Sequence, residues 1–219
     1  MSFIDRLKTK IGDILSNSDE ETLRRDSLQP EDPDFLLNSP SVIGYNNLRE
    51  QFVGFQHLIT GFNPLTDSLL DVGCGRGDLY GFISELHKVP KFNYIGIDHD
   101  PKMLNLAKEK YNIDIYNLPF DATTEKADWV VACGIFTPRR CNTETEDLEK
   151  LFDDVDKMYN LCNKVVSFNL LTPINTTIQE GFFYVHPGLV MDMLIEKYHY
   201  VTVKHNYSNE TYTVTINKF

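Results

Sequence analysis

Ser68-Leu69-Leu70-Asp71-Val72-Gly73-Cys74-Gly75-Arg76-Gly77-Asp78-Leu79 is the stretch whose reading decides the fold. An apolar run of strand type ends in three glycines at alternate positions, and a helical pattern follows at once. That order reads as a strand, a tight turn and the first turn of a helix. Glycine lets the backbone bend sharply and lets a ligand approach main-chain N–H groups with no Cβ in the way. The helix opening near Asp78 points its unpaired N–H groups into the same space. A ligand with a polar or charged tail is expected there.

Outward from this turn, strand and helix patterns alternate. Strands are expected at 68–73, 92–98, 113–117, 127–133 and 163–170, and helices at 78–87, 101–110 and 144–161. A further helix at about 46–60, with Leu48, Phe52, Phe55, Leu58 and Ile59 on one face, is ended by Gly61 and Pro64. Such alternation builds βαβ units, a parallel sheet and helices on both of its faces. After a helix from Leu189 to about Tyr198, Tyr200–Tyr207 and Thr211–Lys218 are separated by only three residues, which makes an antiparallel hairpin. The expectation is an α/β fold with a seven-stranded, mostly parallel sheet closed by that hairpin.

Residues 1–43 differ from the domain expected over 44–219. Ile4, Leu7, Ile11 and Leu15 suit a short amphipathic helix over 3–16, and a second helix fits Glu20–Arg25. Pro30, Pro33 and Pro40 then read as extended chain. This arm is either a loosely packed appendage or, through residues 1–40, a docking element for another protein. No apolar run approaches the roughly 20 residues of a membrane span, and charges fall too early in Met1–Arg6 for a secretory leader. A cytoplasmic protein is expected. Cys74, Cys133, Cys141 and Cys162 form no C-x-x-C pair, so buried free thiols are expected and no metal site. The net charge of −11, with only short basic groups, disfavours nucleic acid as a partner.

The second strand closes at Asp98, 21 residues after Gly77. The glycines at 73, 75 and 77 do not follow the G-x-G-x-x-G spacing of dinucleotide binding. An acid at that strand end can still accept both hydroxyls of a ribose. Pro119-Phe120-Asp121-Ala122 follows the third strand, offering a ring and a carboxylate. The fourth strand runs out at Cys133-Gly134 on the carboxyl edge, where open α/β sheets bind ligands.

These motifs, in this order, resemble those of the class I S-adenosylmethionine-dependent methyltransferases over about residues 44–219, with a Rossmann-like methyltransferase fold. Asp71 to Gly77 matches the family's first motif, Asp98 its second-strand acid, Asp121-Ala122 its adenine-side motif and Asp128 to Phe136 its fourth-strand motif. More narrowly the chain is similar to a poorly characterised subgroup from bacteria and their phages. That similarity rests on Asp78-Leu79-Tyr80-Gly81, Ser167-Phe168-Asn169-Leu170-Leu171, Tyr184-x-His186-Pro187 and Lys204-His205-Asn206-Tyr207.

The resemblance implies S-adenosyl-L-methionine as cofactor. Gly73, Cys74, Gly75 and Gly77 would pass its methionine part, and Asp71 would orient the loop or meet its amino group. Asp98 would hold the ribose, His99 flank the adenine, and Asp121 and the Ala122 N–H bind its edge. Cys133 and Gly134 would line the sulfonium side. Near the methyl end stand Tyr45, Arg49, Phe136, Arg139, Asn169, Tyr184, His186, His205 and Tyr207. Of these, His205, Tyr207 and Tyr45 are the catalytic candidates, His205 as base, while Arg49 and Arg139 could clamp an anionic acceptor. The signatures of DNA amino-methylating and cytosine C5 enzymes are absent from the sequence. The expected acceptor is a small molecule, anionic or glycan-related compounds included, or a protein. The alternative is a component of a larger assembly such as a virion, docked through the arm.

Overall fold

The computed structural model describes residues 19–32, 35–113 and 115–219. The helix expected over 3–16, and half of the docking arm (residues 1–40) with it, lies outside the described residues. In chain order the elements are α1 (Asp19–Ser27), α2 (Phe35–Asn38), a 3-10 turn (Pro40–Ile43), α3 (Leu48–Leu58), β1 (Leu69–Val72), α4 (Asp78–His87), β2 (Tyr94–Asp98) and α5 (Pro101–Tyr111). There follow β3 (Ile115–Asn117), a 3-10 turn (Phe120–Ala122), β4 (Ala127–Ala132), α6 (Glu144–Leu161), β5 (Cys162–Leu171), α7 (Pro187–Tyr198), β6 (Val201–Lys204) and β7 (Thr211–Asn217).

The sheet has seven strands in the order β3-β2-β1-β4-β5-β7-β6. β1 pairs in parallel with β2 and β4, β2 with β3, and β4 with β5, while β7 runs antiparallel to both β5 and β6. The strand order turns outward in both directions from β1 and β4. Both chain segments that leave these two strands therefore start from one crevice at the carboxyl edge.

Period-two alternation sends each strand's side chains to two cores. Leu69, Trp129, Val131 and Val165 meet Phe55, Leu58, Ile59, Leu79, Phe82 and Ile83 of α3 and α4 on one face. Leu70, Val72, Val130, Ala132, Val166, Phe168 and Ile216 meet Leu151, Val155, Met158, Val190 and Leu194 of α6 and α7 on the other. Because β1 is buried on both faces, it reads as a continuous apolar run interrupted only by Asp71.

The helix starts follow local chemistry. The Asn47 side chain accepts from the Glu50 N–H, the Asp100 side chain from the Lys102 N–H ahead of Pro101, and Thr143 and Glu146 form a reciprocal capping box. His186, a methyl-end candidate, caps α7 by accepting from the Gly188 N–H at 3.1 Å.

The extended reading of the segment around Pro40 is corrected. Residues 35–43 form α2 and a 3-10 turn that pack on the domain. The physical reason is Arg76, 0% exposed inside the glycine turn. Its Nη1 donates to Leu36 O (2.8 Å) and its Nη2 to Ser39 O (2.7 Å). Lys110 Nζ donates to Leu37 O (2.8 Å), and the N–H of Leu48 to Asp26 Oδ1 (2.8 Å). The carbonyls of Leu36, Leu37 and Ser39 are thereby tied to side chains of the domain.

Candidate active site at the carboxyl edge

β1 ends at Val72 and the chain turns through Gly73, Gly75 and Gly77, all at positive φ. A Cβ on Gly73 would lie 2.1 Å from Ile135 Cγ2, so no other residue lets the loop after β1 pass the loop after β4. Gly77 then caps α4. The turn is held by its own hydrogen bonds. The N–H groups of Gly73 and Cys74 donate to Ile97 O, that of Gly75 to Asp98 Oδ2 (2.8 Å), and that of Gly77 to Cys74 O.

A cavity of about 520 Å³ opens beside this turn, lined by Val72, Gly73, Ile97, Asp98, His99, Leu118, Phe120, Asp121, Cys133, Gly134, Ile135, Pro138, Arg140, Lys150 and Asp154. A second, smaller one of about 50 Å³ lies under the turn, lined by Tyr45, Phe55, Asp71, Gly73, Cys74, Gly75, Arg76, Asp78, Leu79 and Cys133. The two share Gly73 and Cys133. Side by side they form a trough with a mainly apolar chamber that carries Asp98, Asp121 and Asp154 and a narrow polar chamber beneath the loop. That division suits an adenosine and an amino-acid tail.

The structure brings together Asp71, Gly73, Cys74, Gly75, Asp98, His99, Asp121, Cys133, Gly134 and Tyr45 around this trough. Asp98 spends one carboxylate oxygen on Gly75 and the other on the Asp100 N–H (2.9 Å), so the acid and the loop move as one piece. His99 is exposed on the lip, 3.7 Å from Asp98 Oδ1. Asp121 stands at the rim, 77% exposed and 3.7 Å from Lys150 Nζ. Ala122 lines neither cavity, and its N–H donates to Pro119 O (2.9 Å). Asp71 is buried and accepts from the Tyr94 hydroxyl (2.8 Å). Burial pushes its carboxyl up to about 7 against that hydrogen bond, with the neighbouring Asp98 charge adding to the rise.

On the acceptor-side wall, Tyr45 Oη lies 2.9 Å from Cys133 Sγ. Burial, then the thiol beside it, raises the Tyr45 hydroxyl well above its ordinary value, and burial pushes the Cys133 thiol up to about 12. The Gly134 N–H donates to Asn169 Oδ1 (2.8 Å). Asn169 pairs across the sheet with Thr213, whose hydroxyl is 2.7 Å from that of Tyr207. Tyr207 stacks on His57 at 4.1 Å between ring centroids. His205 lies away from this line, edge-on to Tyr212 at 5.9 Å, and lines neither cavity. Phe136 is fully buried against Phe168, and Arg139 is held by the buried Asp147 at 2.9 Å, so neither faces the trough. Arg49 is exposed on α3.

Sequence reasoning missed Arg76, Gln51 and His57. Gln51 Nε2 donates to Asp78 Oδ2 (3.0 Å), which also accepts from Arg76 Nε (2.8 Å), while Lys110 Nζ donates to Asp78 Oδ1 (2.7 Å). The available signal was Arg76-x-Asp78 inside an otherwise apolar and glycine-rich stretch, a charge pair with no solvent to face. Nothing in the spacing of His57 marks it, since it lies on the polar side of an ordinary amphipathic helix.

A family model described as a methyltransferase domain matches residues 69–160, from β1 into α6. The Mycobacterium tuberculosis protein "Putative methyltransferase Rv1506c" is 27% identical over 157 residues, 69% of this chain and 93% of the relative. Magnesium protoporphyrin IX methyltransferase (ChlM) from Synechocystis PCC 6803 with bound SAM has a similar structure, with a TM-score of 0.59 over 97% of both chains at 14% identity. Human N-acetylserotonin methyltransferase in complex with SAM gives a TM-score of 0.57 over 78% of this chain and 53% of that one, also at 14% identity. The matched stretch covers the glycine turn, Asp98, Asp121 and Cys133-Gly134, and the fold is that of the solved S-adenosylmethionine-dependent methyltransferases, to which the chain is similar.

Proposed function

We propose that the chain is a class I S-adenosylmethionine-dependent methyltransferase, that its acceptor is a small molecule or a protein side chain, and that the acceptor approaches along the wall formed by Tyr45, Cys133, Gly134, Asn169 and Tyr207. The observation that carries this reading is the convergence of three strand ends on one trough, with Gly73, Asp98 and Cys133-Gly134 at β1, β2 and β4. Bound there, S-adenosylmethionine supplies a methyl group already activated on a sulfonium. The chain's own task is then to hold an incoming nucleophile in line and to exclude water. Asp98 and the turn orient the ribose side, while Asp71 answers the positive charge of the tail.

On the acceptor wall, burial raises the hydroxyls of both Tyr45 and Tyr207, so they stay protonated and act as hydrogen-bond donors. His57 is the imidazole that meets this wall through Tyr207. Burial, then the Lys204 charge, keeps it neutral, and its Nδ1 is buried without a hydrogen-bond partner. Stacked on Tyr207, it is an alternative to His205 as the base for an acceptor that carries a proton, although it too lines neither cavity. The net charge of −11 favours these acceptor classes over nucleic acid. Leu36, Leu37 and Ser39 offer their carbonyls to Arg76 and Lys110 of the domain, which favours an enzyme with a built-in cover over an assembly component.

Calorimetric titration with S-adenosylhomocysteine tests the site. The wild-type chain should bind it with a dissociation constant below about 100 μM, and Asp98→Ala should weaken this by about 10–100-fold, the worth of a charged hydrogen bond. An unchanged affinity in Asp98→Ala would remove that residue from the site. Transfer of a labelled methyl group to a fractionated extract then identifies the acceptor class.

A further inference from the structure

The small chamber under the glycine turn poses a chemical question: what can bind a carboxylate there? The turn itself is poorly supplied. The N–H groups of Gly73, Cys74, Gly75 and Gly77 are all committed, to Ile97 O, Ile97 O, Asp98 Oδ2 and Cys74 O, which leaves as backbone donors those of Asp78 and Leu79 at the start of α4. Arg76 lines the chamber, but three of its five N–H donors, one on each nitrogen, go to Asp78, Leu36 O and Ser39 O and hold the guanidinium away from the turn's ligand side. Asp71 and Asp78 are acids. The remaining polar side chains are the Cys74 and Cys133 thiols and the Tyr45 hydroxyl. Of these the Tyr45 hydroxyl is the strong donor, and its partner is Cys133 Sγ, a weak acceptor that is cheaply exchanged.

From this we infer that Tyr45 reads the aminocarboxypropyl tail of the cofactor, its hydroxyl donating to the tail carboxylate while Asp71 in the same chamber takes the ammonium. The inference rests on the cofactor assignment above and moves Tyr45 from catalysis to cofactor recognition. Its raised hydroxyl suits the role, since a phenol that stays protonated is a permanent donor. Its place in the chain adds a consequence. Tyr45 directly follows the segment whose carbonyls are held by Arg76 of the turn, so the donor to the tail and the loop that passes it are fastened together.

Calorimetry on wild type and Tyr45→Phe with two probes separates the possibilities. S-adenosylhomocysteine carries the tail, and 5′-methylthioadenosine has the same nucleoside and thioether without it. Phenylalanine keeps the ring that packs edge-on to Phe55 at 6.1 Å, so the fold is retained. Tyr45→Phe should weaken S-adenosylhomocysteine about tenfold or more and leave 5′-methylthioadenosine within about twofold. Equal weakening of both probes, or no change in either, overturns the role. A wild-type chain that binds neither probe sinks the cofactor assignment itself, whereas one that binds both while the two variant affinities shift together sinks only the role of Tyr45.

Discussion

At the scale of single residues, Asp71 shows how the site draws on the stability of the fold. A carboxyl sealed behind the turn is disfavoured in its charged form, and the Tyr94 hydrogen bond only partly answers the burial, leaving it at about 7. In the unfolded chain the same group ionises near 3.8. Between these values the folded chain keeps a proton that the unfolded chain has released, so stability falls as pH rises from about 4 to about 7 and stays reduced above that. Asp71→Asn removes the effect. The variant should melt at a higher temperature than wild type at pH 8, the two should converge near pH 4, and its affinity for S-adenosylhomocysteine should drop. A variant that melts at or below wild type at pH 8 would show that the ionised carboxylate is stabilised in place. The place of Asp71 near the end of the first strand was legible in the sequence. Its protonation was not, because that depends on Tyr94 and Asp98 arriving from another strand.

At the scale of elements, the helices and strands are set by signals within a few residues of each boundary, which is why most were legible. α6 begins where the Thr143 hydroxyl accepts from the Glu146 N–H and the Glu146 side chain accepts from the Thr143 N–H. Thr143→Ala should cost about 1 kcal/mol and lower the melting temperature by about 2–4 °C. Because the cap lies outside both chambers of the trough, affinity for S-adenosylhomocysteine should not change. A larger loss, or a change in affinity, would show that the start of α6 helps to shape the site. The segment before α3 is the exception to this legibility. Three prolines argue for extended chain, but carbonyls offered to Arg76 and Lys110 favour short helical turns, and those donors lie 37 to 73 residues further along.

At the scale of the whole molecule, the buried Arg76–Asp78–Lys110 cluster joins the arm, the cofactor turn and α5 into one body. Burial alone would raise the Asp78 carboxyl, yet Lys110 and Arg76 hold it below its ordinary value. Removing one member of such a buried set leaves polar groups uncompensated and costs about 3–5 kcal/mol. Arg76→Ala should therefore lower the urea midpoint and expose the 28–46 segment to protease before the domain is cut. Equal protection of that segment in variant and wild type would show that Leu36 O and Ser39 O are satisfied without the guanidinium. The sequence by itself determined the strand and helix order, the glycine turn, Asp98 at its strand end and the closing hairpin, since each is written in local periodicity, turn chemistry and short spacings. Only the tertiary structure decided that Leu36 and Ser39 are bound by Arg76 of the glycine turn, that His57 stacks on Tyr207, and that Tyr45 faces the small chamber with Asp71. Those are contacts between residues far apart in the chain, and the burial that sets their hydrogen bonding and protonation exists only once the sheet has brought its strand ends together.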